Sequence, residues 1–309
     1  MKACVVITDT LDEGMLPTLL LALCNQDCDF EYGIYIPGFS HLTPHDQAII
    51  SSLRAQYTAL HPFTGQGLNR AESINRIAAE CKAEILVFVE SHCLVPRNFL
   101  SRHASALNNP EVHATVSRRV DLPSHEPVRL QETRLALDIS RNFDRGYYFD
   151  FHGSAVRYDG FQKLGGLNER LPLFCEFEFG ARLHHNNMFI MAMDDLPIWH
   201  QNALELTNYC AVVYQQAFER SVIYLINDSE FNRRYFNTPN FTRFLPLLRA
   251  LRLPLVALLW ALQRLARAGF ALSAYTTPGE VNYFWFRLAA RSSAIRGRIA
   301  GLGHTRNKP

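Results

Sequence analysis

Three places in the chain combine residue types and spacing that could do chemistry. An apolar run, Val87-Phe88-Val89, stops abruptly at Glu90-Ser91-His92. A carboxylate oxygen and an imidazole nitrogen are both competent ligands for a divalent cation; the same pair also serves as a plain polar cap on a strand. Further on, Phe174-Cys175-Glu176-Phe177-Glu178 sets two carboxylates among aromatics, with Arg182 following. Acids at the head of a helix gain from its dipole. Apolar neighbours can instead desolvate one of them and raise its pKa toward that of a useful general base. The third place is Trp199-His200. Alone it reads as structural, and it gains meaning by converging on His92.

Positioning these groups falls to an alternation of short apolar runs and longer helical patterns. The strand expectations are Ala3–Thr8, Glu31–Ile36, Glu84–Val89, His113–Ser117 and Phe189–Asp194. Helical patterns fall at Met15–Asn25, Pro44–Tyr57, Asn69–Cys81 and Pro96–Leu107. Such alternation predicts βαβ units and a mostly parallel sheet with helices on both faces. Ligands of these sheets bind beyond the carboxyl ends of the strands, which places chemistry after Val89. Residues Ala203–Asn227 read as one long amphipathic helix. The polar stretch after Asp228 reads as a linker, and two basic apolar helices follow. The first of these is expected to start near Pro254 and stop at Gly269.

In order and spacing, four stretches resemble the family 2 glycosyltransferases, whose catalytic domain has the GT-A fold. Asn69-Arg70-Ala71-Glu72-Ser73-Ile74-Asn75-Arg76 is similar to the family's Asn-containing helix before the metal-site strand. Glu90-Ser91-His92 stands where the family has its D-x-D motif. Phe161 to Glu169, with Gly165-Gly166 inside it, is similar to a turn in the acceptor region. Glu176-Phe177-Glu178 with Arg182 matches the acidic pair that contains the catalytic base, and His200 falls at a late metal-binding histidine.

The resemblance implies a GT-A domain over residues 1–230 and a C-terminal helical extension over 231–309. It implies an inverting transfer from a nucleoside diphosphate sugar, a UDP-sugar foremost, with Glu176 as base. Asp9, Asn75, Glu90 and His92 would bind the nucleotide diphosphate. Glu90, His92 and His200 would hold a divalent metal, manganese or magnesium. Gly153, Ser154, Glu178 and Arg182 would support the acceptor. The sequence departs from the family at His92, where a neutral nitrogen replaces a second carboxylate and disfavours magnesium. It departs again after the second strand, where Pro37-Gly38-Phe39-Ser40 offers no acid for the nucleotide base; Asp9 is the nearby substitute.

Charge is distributed unevenly along the 309 residues. From 231 onward there are thirteen Lys or Arg and a single acid, Glu280, whereas the first 230 residues hold 28 acidic and 18 basic side chains. Aromatics and leucines beside Arg264, Arg267, Arg287, Arg291, Arg296 and Arg298 suit a helix lying in a lipid headgroup layer, or a hairpin packed on the protein. Seven cysteines without a C-x-x-C pair predict free thiols in a reducing cytoplasm. The opening residues enter a strand pattern directly, so no cleaved leader is expected. The longest uncharged apolar stretch, Leu253 to Gln263, predicts no membrane span.

The expected protein is therefore a peripheral enzyme on the cytoplasmic face of a membrane, acting on a lipid-linked or cell-envelope glycan in polysaccharide biosynthesis. A catalytically degenerate binding or scaffold protein is the alternative. Nucleic-acid binding is disfavoured, because the basic residues of the tail alternate with aliphatic stretches rather than stacking surfaces.

Overall fold

The computed structural model describes residues 1–9, 15–122, 127–128, 130–131, 148–201, 205–226, 229–236, 252–274 and 279–304. The chain divides into two compact units: residues 1–122 with 143–202, and residues 123–142 with 203–309. Leu206–Ile226 belongs to the second unit, where it packs with two later helices.

The first unit is built on an eight-stranded sheet. Its strands are β1 (Ala3–Ile7), β2 (Tyr32–Pro37), β3 (Leu60–Phe63), β4 (Ile85–Val89), β5 (Cys93–Leu94), β6 (Val112–Asp121), β7 (Ser154–Arg157) and β8 (Phe189–His200), in the order β3-β2-β1-β4-β7-β6-β8-β5. Pairs β3/β2, β2/β1, β1/β4 and β6/β8 are parallel; β4/β7, β7/β6 and β8/β5 are antiparallel. β1 and β4 are buried along their whole length, as continuous apolar runs at the centre of a parallel sheet should be. Between strands lie α1 (Leu16–Cys24), α2 (Pro44–Gln56), α3 (Arg70–Cys81), α4 (Phe99–Leu107), α5 (Tyr158–Lys163) and α6 (Cys175–His185).

Local chemistry sets the helix starts. Thr43 accepts the Asp46 N–H ahead of α2. Asn69 and Glu72 form a reciprocal capping box at α3, which fixes the direction in which Arg70 leaves the helix.

β8 runs further than its sequence suggests. The pairing with β6 jumps from Ser117 opposite Met193 to Arg118 opposite Pro197, a bulge that lets Asp194 and Asp195 stand out in solvent. Pairing then resumes and carries His200 to a position opposite Asp121 on one side and Cys93 on the other.

The second unit is helical: α7 (Leu206–Ile226), α8 (Ser229–Phe236), α9 (Arg252–Ala274) and α10 (Glu280–His304). Residues 229–236, expected as linker, are thus a helix, while 237–240 lie outside the described residues. Its core gathers Leu206, Cys210, Ala266, Phe270, Tyr283, Phe286 and Ala289. Gly269 does not end α9. It lies inside the helix because the Trp285 ring occupies the space a Cβ would need. Gly297 and Gly301 likewise let α10 approach the Tyr214 and Phe218 carbonyls of α7 so closely that any side chain there would collide.

α9 continues through Arg264 and Arg267 to Ala274, past the uncharged run that ended the sequence expectation. By length and composition it is long and apolar enough to cross a membrane. Leu253 and Leu272 are 82% and 76% exposed, and Leu258, Trp260 and Leu265 are exposed as well.

Candidate active site and metal centre

At the carboxyl end of β4 the backbone leaves the sheet at Glu90. Four donor groups, from Glu90, His92, His152 and His200, lie within 4.8 Å of one another. His92 Nε2 is 3.2 Å from Glu90 Oε2, and His152 Nε2 is 3.1 Å from the same oxygen. The Nε2 atoms of His92 and His200 are 3.0 Å apart. Each imidazole has an acid at its other nitrogen. Asp9 faces His92 Nδ1 at 3.4 Å, Asp150 faces His152 Nδ1 at 3.1 Å, and Asp121 faces His200 Nδ1 at 2.8 Å. Further contacts hold the acids in place. Asp9 accepts the Ser91 N–H, Asp121 accepts from Arg119 at 2.8 Å, and Asp150 accepts the Tyr148 hydroxyl at 2.6 Å.

This concentration of buried acid draws positive charge toward its centre. Burial pulls the His92 imidazole down, but its hydrogen bonds to Asp9 and Glu90 outweigh that and hold it up to about 11. Burial likewise opposes protonation of His152, and the charges of Glu90 and Asp150 raise it regardless. His200 goes the other way. Burial lowers it to about 3 against the single supporting bond to Asp121, so it is neutral and donates Nδ1–H to that acid. Glu90 is held well below the carboxylate range: burial opposes this, and His152, His92 and Arg70 overcome it. A divalent cation among the Nε2 atoms and Glu90 would supply the charge that protons supply without it, so the donor set fits a metal.

Arg70 links this cluster to Glu176. One guanidinium nitrogen donates to Glu90 Oε1 at 2.8 Å and to Thr8 Oγ1 at 3.3 Å; another lies 3.8 Å from Glu176 Oε2. The guanidinium also stacks on the Phe151 ring at 4.7 Å. Glu176 sits buried in the first turn of α6. Burial pushes its carboxyl up to about 7, with the Glu90 charge adding to the shift and Arg70 offsetting part of it. A carboxyl near 7 is matched to proton abstraction at neutral pH.

The remaining sequence candidates make the following contacts. Asn75 spends both ends of its amide on one turn: Nδ2 donates to the Leu167 carbonyl and to Glu169, and Oδ1 accepts the Leu167 N–H. Arg182 donates to Glu178 and to the Leu164 and Gly166 carbonyls, gripping the same turn from α6. Gly165 and Gly166, at φ 77° and 74°, make that turn possible. The Ser154 hydroxyl donates to the Asp150 carbonyl, and a side chain at Gly153 would press on Ile198.

Sequence reasoning did not single out His152, Asp150, Asp121 or the bridging part of Arg70. A signal existed for two of them. Asp150-Phe151-His152 repeats the acid-x-imidazole spacing of Glu90-Ser91-His92.

No family model matches this chain, and no curated protein matches it by sequence. Its fold does match solved structures. Mannosyltransferase PcManGT from Pyrobaculum calidifontis, solved with GDP-Man and Mn2+, aligns at TM-score 0.61 and 16% identity over 98% of this chain and 88% of its own. S. aureus TarS 1-349 with UDP-GlcNAc aligns at 0.53 and 14% identity over 94% and 91%. GalNAc-T7 with UDP, GalNAc and Mn2+ aligns at 0.52 and 16% identity over 79% and 56%. What these matches share with this chain is the GT-A fold, a curled, mostly parallel mixed sheet with helices.

Proposed function

We propose that this chain is an inverting hexosyltransferase that moves a sugar from a nucleoside diphosphate, a UDP-sugar foremost, to an acceptor hydroxyl. The observation that carries the reading is a buried carboxyl at about 7, joined through Arg70 to a buried metal-type cluster at the end of the central strand. Neighbours of the same fold were solved with GDP-Man, UDP-GlcNAc or UDP and, in two cases, Mn2+.

Glu90, His92, His152 and His200 would hold the divalent cation, which when bound offsets charge on the departing diphosphate. Glu176 takes the proton from the acceptor hydroxyl. The acceptor oxygen bonds to the anomeric carbon from the face opposite the diphosphate as the bond to that group breaks, and configuration inverts. Arg70 keeps Glu176 near the cluster and balances its charge. Glu178 and Arg182 fix α6 through their mutual ion pair and the bonds to the glycine turn.

A lipid-linked or envelope acceptor is the reading that the surface of the second unit supports. Exposed Leu253, Leu258, Trp260, Leu265 and Leu272 share one helix with Arg264, which stacks on Trp260 at 4.0 Å. Apolar side chains among arginines suit an anionic membrane surface, and a lipid-linked or envelope glycan is the substrate such a surface presents. The proposed location is the cytoplasmic face of the membrane.

A panel of nucleoside diphosphate sugars, assayed with manganese for nucleotide release and product stereochemistry, tests the reading. Glu176→Gln should bind nucleotide and fail to transfer. Transfer at the parent's rate would remove Glu176 from the role of base. Nucleotide binding without turnover on any donor would favour a degenerate binding protein instead.

A further inference from the structure

We infer that Glu90, His92, His152 and His200 form a resident centre for a first-row divalent transition ion, filled before any nucleotide arrives and closed to magnesium. The inference deepens the reading above by using the same site, but it does not depend on sugar transfer.

The donor count is the first argument. Four side-chain donors already converge within 4.8 Å, a full tetrahedral complement drawn from the protein alone. A magnesium ion that bridges a diphosphate uses one or two carboxylates, keeps waters and takes the rest from phosphate. Nothing in that arrangement calls for three imidazoles.

The backing of each imidazole is the second. Asp9, Asp150 and Asp121 each stand behind one Nδ1, at 3.4, 3.1 and 2.8 Å. A carboxylate in that place selects the tautomer with hydrogen on Nδ1 and turns the Nε2 lone pair forward, as it does behind metal-bound histidines. The Nε2 atoms of His92 and His200 are 3.0 Å apart. That spacing is the distance between two donors on one small cation. The donor chemistry is the third argument. Three nitrogens and one oxygen suit manganese, cobalt or zinc, whereas magnesium prefers oxygen. Zinc in four-coordination is saturated by these groups. Six-coordinate manganese or cobalt keeps two positions for diphosphate oxygens, so the ion present would decide whether the site admits a donor.

The test uses full-length protein stripped with a chelator and titrated without nucleotide. Cobalt(II) absorption and calorimetry with zinc, manganese and magnesium are the readouts. One equivalent of cobalt should bind with visible d–d bands, zinc should displace it, and magnesium in large excess should not. His152→Ala should weaken cobalt binding about a hundredfold; Asp150→Asn, which keeps all four ligands, should weaken it about tenfold. Should His152→Ala fail to fold, His152→Gln and Asp150→Asn carry the same expectation. Cobalt uptake that requires UDP or GDP, or magnesium binding as tight as manganese, would overturn the inference and leave the transferase reading standing. Cobalt uptake by a protein that binds no nucleoside diphosphate would uphold the inference and remove that reading.

Discussion

The two compact units break the ordinary rule of protein interiors in opposite directions. The sheet unit buries charge: Glu90, Asp150 and Glu176 lie out of solvent, with half-buried Arg70 and three imidazoles beside them. The helical unit exposes apolar surface, Leu253 and Leu272 above all. Each arrangement costs stability unless compensated: the buried acids have Arg70, His92 and His152 beside them, and the exposed leucines are assigned to a lipid surface only by the proposal above. The comparison teaches where to look for partners: at places where a sequence that folds well elsewhere departs from its own pattern.

The comparison can be broken most sharply at Glu176. Glu176→Gln should lower the transfer rate by about 10²–10⁴-fold, with circular dichroism and nucleotide affinity unchanged. Arg70→Ala comes next. It leaves Glu90 and Glu176 buried without their shared partner and should cost about 3–5 kcal/mol in urea unfolding. A cost within error would mean that the buried charges are balanced some other way.

The pH profile is a subtler probe. A base must be unprotonated to act, and Glu176 becomes carboxylate only as pH rises through about 7. Accordingly kcat/KM should climb about tenfold per unit below that point and level off above it. Stability should move the opposite way. A carboxyl raised in the folded state holds its proton there longer than in the unfolded chain, so its contribution is present at low pH and lost as pH rises from about 4.5 to about 7. An activity profile flat across pH 6–8 would contradict the assignment.

The smallest effect on the protein itself is expected in the other unit. Leu253→Glu and Leu272→Glu should change stability by no more than about 0.5 kcal/mol, because both side chains are already exposed. Sedimentation with anionic liposomes should nevertheless fall several-fold. Unchanged sedimentation would mean that the apolar face of α9 serves something other than lipid.

How much of this was legible depended on how local each cause was. β1 and β4 announced themselves as uninterrupted apolar runs, and the Asn69–Glu72 box marked the start of α3. β3, with His61 and Pro62 inside it, has no such pattern; it is a strand because β2 pairs with it. β7 is only four residues long and owes its existence to the gap between β4 and β6. The two acids and proline at 194–197 looked like the end of a strand, whereas a bulge absorbs them and pairing goes on to His200.

The same logic governs the site. Glu90, His92 and Glu176 could be found because each ends or begins an element. Asp121 matters only through register, since nothing near it in sequence shows that it will meet a histidine 79 residues away. Gly269 misled for a related reason. A glycine admitted by a ring packing from another helix looks, in one dimension, the same as a glycine that stops a helix.

The contact between α7 and α10 bears on what would happen if the helical unit met a bilayer. Gly297 and Gly301 stand four residues apart and bring backbone against backbone. Attraction of that kind comes from close van der Waals approach and does not rely on the exclusion of water. Surrounding hydrocarbon would remove much of the drive that gathers Phe270 and Phe286, yet leave the glycine seam intact. The two helices would therefore travel as one piece between aqueous and lipid surroundings, keeping their mutual orientation through a change of solvent.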